Sequence, residues 1–215
     1  MARLRYVRSL DQVKKAAEAN PEFMRNTVRS LRAWYETDPA IPAALLPRSL
    51  VPAARPEIFV QFAHVTMHVS PTNTIAIGAA TVGVGCSYDG VDGWYVLAMP
   101  MEGESVVIGG RETYGEPKKL AKVDFQFDGE AIRASATRRD VAFLELAGRI
   151  GAPSSRPLQF TEYLYCFKAL PSCVKGEGFD GDPLLVRLEW KRDYSERREV
   201  EGQVVLRESS HRRAG

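Results

Sequence analysis

The sequence has few of the residues on which metal and redox sites are built. Its 215 residues include three histidines and three cysteines, Cys86, Cys166 and Cys173. An odd number of cysteines without a Cys-x-x-Cys spacing does not form a disulfide framework, so we expect free thiols. His64 and His68 are four residues apart but have no glutamate of a zinc-protease motif between them. The sequence therefore predicts no metal site.

A strong net charge and long apolar runs are absent too. The chain has 29 basic and 27 acidic side chains, for a net charge of +2, which indicates neither a nucleic-acid nor a membrane partner. No stretch approaches about 18 uncharged apolar residues, the length that crosses a bilayer. The N-terminus has no apolar leader segment. We therefore expect a cytoplasmic protein.

Turn signals separate many short alternating segments. The pattern predicts a helix over 9–20, capped by Ser9 and Gln12, and a helical turn over 40–46. Residues 138–150 fit a helix or a strand. Strands are predicted at 28–35, 58–69, 74–84, 94–99, 106–109, 120–127, 131–137, 160–169, 183–191 and 197–207. These elements indicate a mainly β (β-rich α+β) sandwich or barrel over residues 25–215, with a helical appendage over residues 1–24.

One short segment, Gly110–Ala121, indicates the chemistry. It reads GRETYGEPKKLA and has apolar sequence on both sides. Burial of an ammonium is costly and lowers the pKa of a lysine, because it disfavours the charged form. A neutral lysine amine is a nucleophile toward a carbonyl carbon. The segment therefore predicts a lysine, Lys118 or Lys119, that forms a Schiff base.

The same segment resembles the signature of the acetoacetate decarboxylase superfamily, and the likeness runs from about residue 25 to about residue 207. The resemblance implies an acetoacetate decarboxylase-like antiparallel barrel or double sheet with an N-terminal helix. It also implies a homo-oligomer that needs no cofactor. In its site, Lys118 forms the Schiff base and Lys119 is the electrostatic neighbour.

Strand alternation favours a different orientation of the two lysines. A single strand through this segment would place Lys119 on the apolar side with Val123 and Phe125, and Lys118 on the polar side. A turn or bulge at Pro117 would shift that register. The resemblance favours Lys118 as the residue that faces the pocket.

The resemblance also implies a pocket around the lysine, made of an arginine and two glutamates. Arg29 lies within one residue of the arginine position, Gln61 stands at one glutamate position and Ala79 lies near the other. Glu116, two residues before Lys118, is either an acid or base of the site or a solvated turn carboxylate. The carboxylates of the family are thus incomplete in this chain.

The function expected from these residues is a Schiff-base lyase that acts on a small keto acid. Decarboxylation of a 3-keto acid through a lysine iminium is the first hypothesis. Because the expected glutamates are missing, a pyruvate-type aldolase or dehydratase and a keto-acid-binding module without turnover are alternatives. A structural, oligomer-forming domain without a ligand is the last of the hypotheses.

Overall fold

The computed structural model describes residues 9–18, 25–70 and 73–207. Within these ranges the chain is mainly β, as the sequence predicted. The helices are α1 (Leu10–Glu18), α2 (Ala40–Leu45) and α3 (Glu104–Tyr114). The strands are β1 (Arg25–Glu36), β2 (Val51–Pro52), β3 (Glu57–Ser70), β4 (Asn73–Tyr88), β5 (Val91–Met101), β6 (Lys118–Leu120), β7 (Lys122–Asp128), β8 (Ala131–Arg138), β9 (Val141–Pro153), β10 (Gln159–Lys168), β11 (Leu184–Asp193) and β12 (Arg198–Leu206).

The strands form two sheets. The large sheet has the order β1-β3-β4-β5-β10-β11, with β2 beside β4 and β6 beside β5, and the small sheet has the order β12-β9-β8-β7. Most neighbours are antiparallel, but β5 runs parallel to both β6 and β10. In the described ranges neither sheet closes on itself. Of the two predicted arrangements the double sheet is therefore confirmed and the barrel is not, because side chains and not backbone pairs join β1 to β10 and β11.

The main hydrophobic core lies between the two sheets. Alternate residues of β3, among them Val60 and Phe62, point toward the small sheet and pack with Leu144 and Leu146 of β9. The other residues of β3 point away from the small sheet, onto what we call the inner face of the large sheet. Arg32 of β1 contacts Glu162 of β10 across this face, so the large sheet curls around it.

The helix α3 replaces a strand that the sequence predicted at 106–109. The β-branched run there favours a strand, but Val107 is buried, and Val106 partly buried, in a cluster with Met99 and Cys166 of the inner face. Gly115, with φ of 69°, ends the helix in the left-handed conformation. Packing against the sheet therefore overrides the local preference.

Other expectations have clear outcomes. The N-terminal helix is α1, and Ser9 and Gln12 exchange the two hydrogen bonds of a capping box. The undecided stretch 138–150 is a hairpin turn at Arg139 and Asp140 followed by most of β9. The division between an appendage over 1–24 and a domain over 25–215 stays a prediction. No helix in the described ranges is long and apolar enough to cross a bilayer.

Candidate active site

A β5-α3-β6 unit positions Lys118. The strand β6 runs parallel to β5, with Lys118 opposite Met99, and α3 forms the crossover that a parallel pair requires. The backbone N–H of Met99 donates to the carbonyl of Pro117 at 3.2 Å, and that of Lys118 donates to the carbonyl of Glu116 at 2.7 Å. This tight turn directs the side chains of Glu116 and Lys118 to the same place.

Lys118 and Glu116 form a buried ion pair. The Lys118 Nζ lies 2.6 Å from Glu116 Oε2, and the two side chains are 11% and 7% exposed. Gly110 of α3 makes the space for them, since a Cβ at this glycine would collide with the Glu116 carboxylate and with the Lys118 side chain. A proton can pass from the Lys118 ammonium to the Glu116 carboxylate without a change in the net charge of the pair.

The structure resolves the orientation of the two lysines. The strand β6 ends at Leu120 and β7 begins at Lys122, so the alternation of β7 does not run back through the lysine pair. Lys118 faces inward, as the resemblance implies, and Lys119 is exposed on the other side of β6. The role of Lys119 as an electrostatic neighbour stays a prediction.

A buried thiol lies beside the pair. Cys166 of β10 shares a core cluster with Met99, which lies opposite Lys118 in the sheet. Burial first, and then the Glu116 carboxylate, raise the pKa of the Cys166 thiol to about 12 against the opposing effect of the Lys118 ammonium. The thiol therefore stays protonated at neutral pH and packs as an uncharged side chain beside the pair of Lys118 and Glu116. Sequence reasoning missed Cys166, because no local pattern shows that β10 lies beside β5.

Buried polar side chains collect on the inner face. In the part of the chain that the structure describes, they are Gln61, Thr81, Glu116 and Glu162. Gln61 of β3 lies opposite both Arg32 of β1 and Thr81 of β4, and directly opposite residues share a face. Gln61 Oε1 is buried and has no hydrogen-bond partner among the described residues. The inner face is thus the polar interior of this molecule.

Arg29 does not reach this interior, so its place in the pocket is corrected. Its guanidinium lies 5.0 Å from the ring centroid of Phe127 in the small sheet. Arg32, three residues further along β1, faces inward instead. Arg29 and Arg32 are three residues apart, and a shift by an odd number of residues moves a strand side chain to the other face. Arg32 is therefore an arginine that lies on the inner face.

Arg32 joins two strands at the far side of the interior. Its Nη2 lies 2.5 Å from Glu162 Oε2, and Arg192 Nε of β11 lies 2.8 Å from the other oxygen of the same carboxylate. The Arg32 guanidinium also lies 4.8 Å from the ring centroid of Phe59. Glu162 is thus a buried carboxylate of the inner face, on a different strand from Gln61.

Residues 11–212 match the family model described as acetoacetate decarboxylase (ADC). The chain belongs to the acetoacetate decarboxylase family. No curated protein matches the sequence, so the acetoacetate decarboxylase family is the assignment that the sequence comparison supports.

Solved structures share the acetoacetate decarboxylase fold. The acetoacetate decarboxylase of Legionella pneumophila subsp. pneumophila str. Philadelphia 1 is 20% identical, with a TM-score of 0.63 over 87% of this chain and 73% of that chain. The enduracididine biosynthesis enzyme MppR complexed with pyruvate is 13% identical, with a TM-score of 0.71 over 86% and 77%. An acetoacetate decarboxylase-like enzyme from Sphingomonas wittichii RW1 is 14% identical, with a TM-score of 0.64 over 86% and 80%. These identities show a common fold, on which sites of different chemistry are built.

Proposed function

We propose that this protein is a Schiff-base lyase that acts on a small keto acid through Lys118. The observation that carries the proposal is the buried pair of Lys118 Nζ and Glu116 Oε2, 2.6 Å apart on the inner face. Membership of the acetoacetate decarboxylase family supports it. A cytoplasmic homo-oligomer that needs no cofactor belongs to the same proposal.

Glu116 holds the proton that the reaction has to move. The Lys118 ammonium gives a proton to the Glu116 carboxylate, and the neutral amine attacks the ketone carbon to form a carbinolamine. Glu116 returns the proton to the carbinolamine hydroxyl, which leaves as water, and a protonated iminium remains. Because both groups are buried, the exchange replaces a desolvated ion pair by a neutral pair and back again.

The iminium then accepts an electron pair. In a 3-keto acid the bond to the carboxylate breaks, carbon dioxide leaves and the two bonding electrons form an enamine. Protonation of the enamine carbon and addition of water release the ketone and the free lysine. Decarboxylation of a 3-keto acid is the first reaction that we propose.

A second candidate is an aldolase or dehydratase of pyruvate type. Gln61 and Ala79 are uncharged where the resemblance implies glutamates, and both belong to the buried residues of the large sheet. The structural neighbour MppR has been solved with pyruvate and with the condensation product of pyruvate and imidazole 4-carboxaldehyde. In this reaction Glu116 takes a proton from the methyl carbon of the pyruvate iminium, no carbon dioxide leaves, and the resulting enamine attacks an aldehyde carbon, whose oxygen takes up the proton.

Borohydride trapping tests the imine. The protein is incubated with acetoacetate or pyruvate, reduced, digested and analysed by peptide mass. We expect a reduced adduct on Lys118 that is lost in Lys118→Ala and kept in Lys122→Ala, the matched control at an exposed lysine of β7. Release of carbon dioxide or of a condensation product then separates the two candidate reactions.

Two outcomes contradict the proposal. An adduct on Lys119 would show that Lys119, and not Lys118, forms the Schiff base. The absence of an adduct from folded protein between pH 5 and 9 removes the lyase function for these acids, and a keto acid that still raises the melting temperature then shows a binding module.

A further inference from the structure

A group of arginines surrounds one carboxylate at the far side of the interior. Glu162 accepts from Arg32 at 2.5 Å and from Arg192 at 2.8 Å. Arg197 lies near them, since Arg32 and Arg197 pack on the same ring of Phe160, and Arg156 shares the ring of Trp34 with Arg32. We call the four residues Arg32, Arg156, Arg192 and Arg197 the arginine cluster.

The deepest members of the arginine cluster have donors to spare. The Arg32 side chain is 7% exposed, and its Nε and Nη1 have no hydrogen-bond partner among the described residues. Nη2 of Arg192 is also buried and has no hydrogen-bond partner among the described residues. Buried N–H donors are nearly always paired in folded proteins, so these three atoms indicate a missing acceptor.

The surroundings favour an anion as that acceptor. Aromatic rings pack against the guanidiniums, with Arg32 over Phe59 at 4.8 Å and over Phe160 at 5.5 Å, and Arg197 over Phe160 at 5.2 Å. Such walls exclude water and strengthen a charged hydrogen bond. Two guanidiniums, those of Arg32 and Arg192, share the single carboxylate of Glu162, and this leaves an excess of positive charge that an anionic ligand neutralises.

The arginine cluster lies too far from Lys118 to hold the reacting carboxylate. On β10, Glu162 marks the cluster and Cys166 marks the Lys118 end, and these residues are four positions apart on one face. Four residues of a strand span about 13 Å. The carboxylate of a 3-keto acid is only two bonds from its carbonyl carbon, so this group stays near Lys118.

We propose that the arginine cluster binds a second carboxylate at the far end of the substrate. This inference rests on the proposed function, since it assumes that the substrate carbonyl meets Lys118. The span selects a keto diacid in which about four to six bonds separate the carbonyl from the distal carboxylate. The unpaired donors of Arg32 and Arg192 form the charged hydrogen bonds to that carboxylate.

Pairs of acids with the same chain length test the inference. Half-saturating concentrations for borohydride trapping are compared for 3-ketopimelate and 3-ketoheptanoate, and for 2-ketoadipate and 2-ketohexanoate. We expect each diacid to saturate at a concentration at least about 10-fold lower than its monoacid, because charged hydrogen bonds of this kind are each worth a tenfold change or more.

Variants assign the preference to the arginine cluster. Arg32→Lys keeps a positive charge beside Glu162 but loses the free donors, and we expect the preference for the diacid to fall below about 3-fold. Arg156→Gln changes an exposed member of the cluster and guards against a folding failure of Arg32→Lys; we expect a smaller loss in the same direction. The matched control is Arg149→Lys, an exposed arginine paired with Glu130, which keeps the full preference.

A binding measurement without the ketone separates this inference from the proposed function. Adipate has two carboxylates and no carbonyl, and we expect it to raise the melting temperature of the wild type but not of Arg32→Lys. If no acid is trapped and adipate still stabilises the protein, the cluster stands and the lyase proposal fails. If diacids and monoacids trap equally and adipate has no effect, the cluster is a structural clamp and the inference is overturned.

Discussion

The side chain of Lys118 fits in its place because residue 110 is a glycine and has no side chain of its own. Gly110 lies on the buried side of α3, where a methyl group would overlap the Glu116 carboxylate and the Lys118 side chain. Gly109, the next residue before it, is exposed and has nothing within 4 Å of the position of a Cβ. The two glycines of one helix therefore have different reasons to be there.

Substitution of these glycines by alanine separates site geometry from helix stability. Gly110→Ala is expected to slow imine trapping by about 100-fold, the usual cost of a displacement near 1 Å at reacting groups, and to lower stability by about 1–3 kcal/mol through overpacking. Gly109→Ala is expected to keep the trapping rate and raise stability by about 0.5–1 kcal/mol. Trapping kinetics and urea unfolding measure both. Equal trapping rates for the two variants would contradict the packing argument.

At the scale of single residues, the sequence predicts only those site residues that lie within the segment 110–121. Lys118 follows from the motif and Glu116 from its neighbourhood. Cys166 and Glu162 do not, since both come from β10, some 40 residues later, and strand alternation says nothing of which strand lies nearby. The prediction of Arg29 for the pocket is wrong, because an offset of a few residues from the family's position changes the face on which a strand side chain lies.

The helix α3 is the element that brings the motif to the sheet. It connects two parallel strands, and its left-handed end at Gly115 turns the chain so that Glu116 and Lys118 point inward. A Cβ at Gly115 would also press on the backbone of Lys168 at the end of β10. The end of α3 is therefore held against the strand that contributes Cys166.

A matched pair of turn glycines tests this contact. Gly90→Ala places alanine at φ of 73° in open space, so we expect a loss of about 1–2 kcal/mol from the left-handed conformation alone. Gly115→Ala carries that cost and the collision with Lys168, so we expect about 3 kcal/mol or more. Urea unfolding at pH 7 measures the difference. Similar losses for both variants would mean that Lys168 yields to the methyl group.

Local propensity could not predict α3. Val106, Val107 and Ile108 favour a strand by residue type. The N-cap position is a glycine, Gly103, and not the serine, threonine or aspartate that usually signals the start of a helix. The helix forms because two of its valines pack on the inner face. Strands with a turn pattern, such as β7 and β8 around Gly129, were predictable, since the signal and the partner are adjacent in sequence.

On the scale of the whole molecule, the large sheet is held in its curl by side chains. Arg32 of β1, Glu162 of β10 and Arg192 of β11 join its two ends, and the hydroxyls of Ser30 and Tyr194 lie 3.4 Å apart beside them. We call this junction the seam. Local patterns predict the strands but not the seam, because it joins residues more than 100 positions apart, and this is why a barrel and a double sheet were not distinguished.

Removal of one carboxylate tests the strength of the seam. Glu162→Ala leaves two buried guanidiniums without a counter-charge, so we expect a loss of about 3–5 kcal/mol in the free energy of unfolding. Glu130→Ala removes the partner of Arg149 in an exposed pair, and we expect a loss of about 0–1 kcal/mol. Denaturant unfolding of both variants gives the comparison. A loss below 1 kcal/mol for Glu162→Ala would show that water compensates the arginines.

A seam made of side chains also governs how the interior exchanges its contents. In the described ranges no backbone ladder joins β1 to β11, so a separation of the two edges would require rotation of a few side chains and would break no ladder hydrogen bond. Passage of a ligand and exposure of backbone amides are then independent events on different timescales. A ligand that passes through the seam therefore leaves every strand of the large sheet paired with its neighbours.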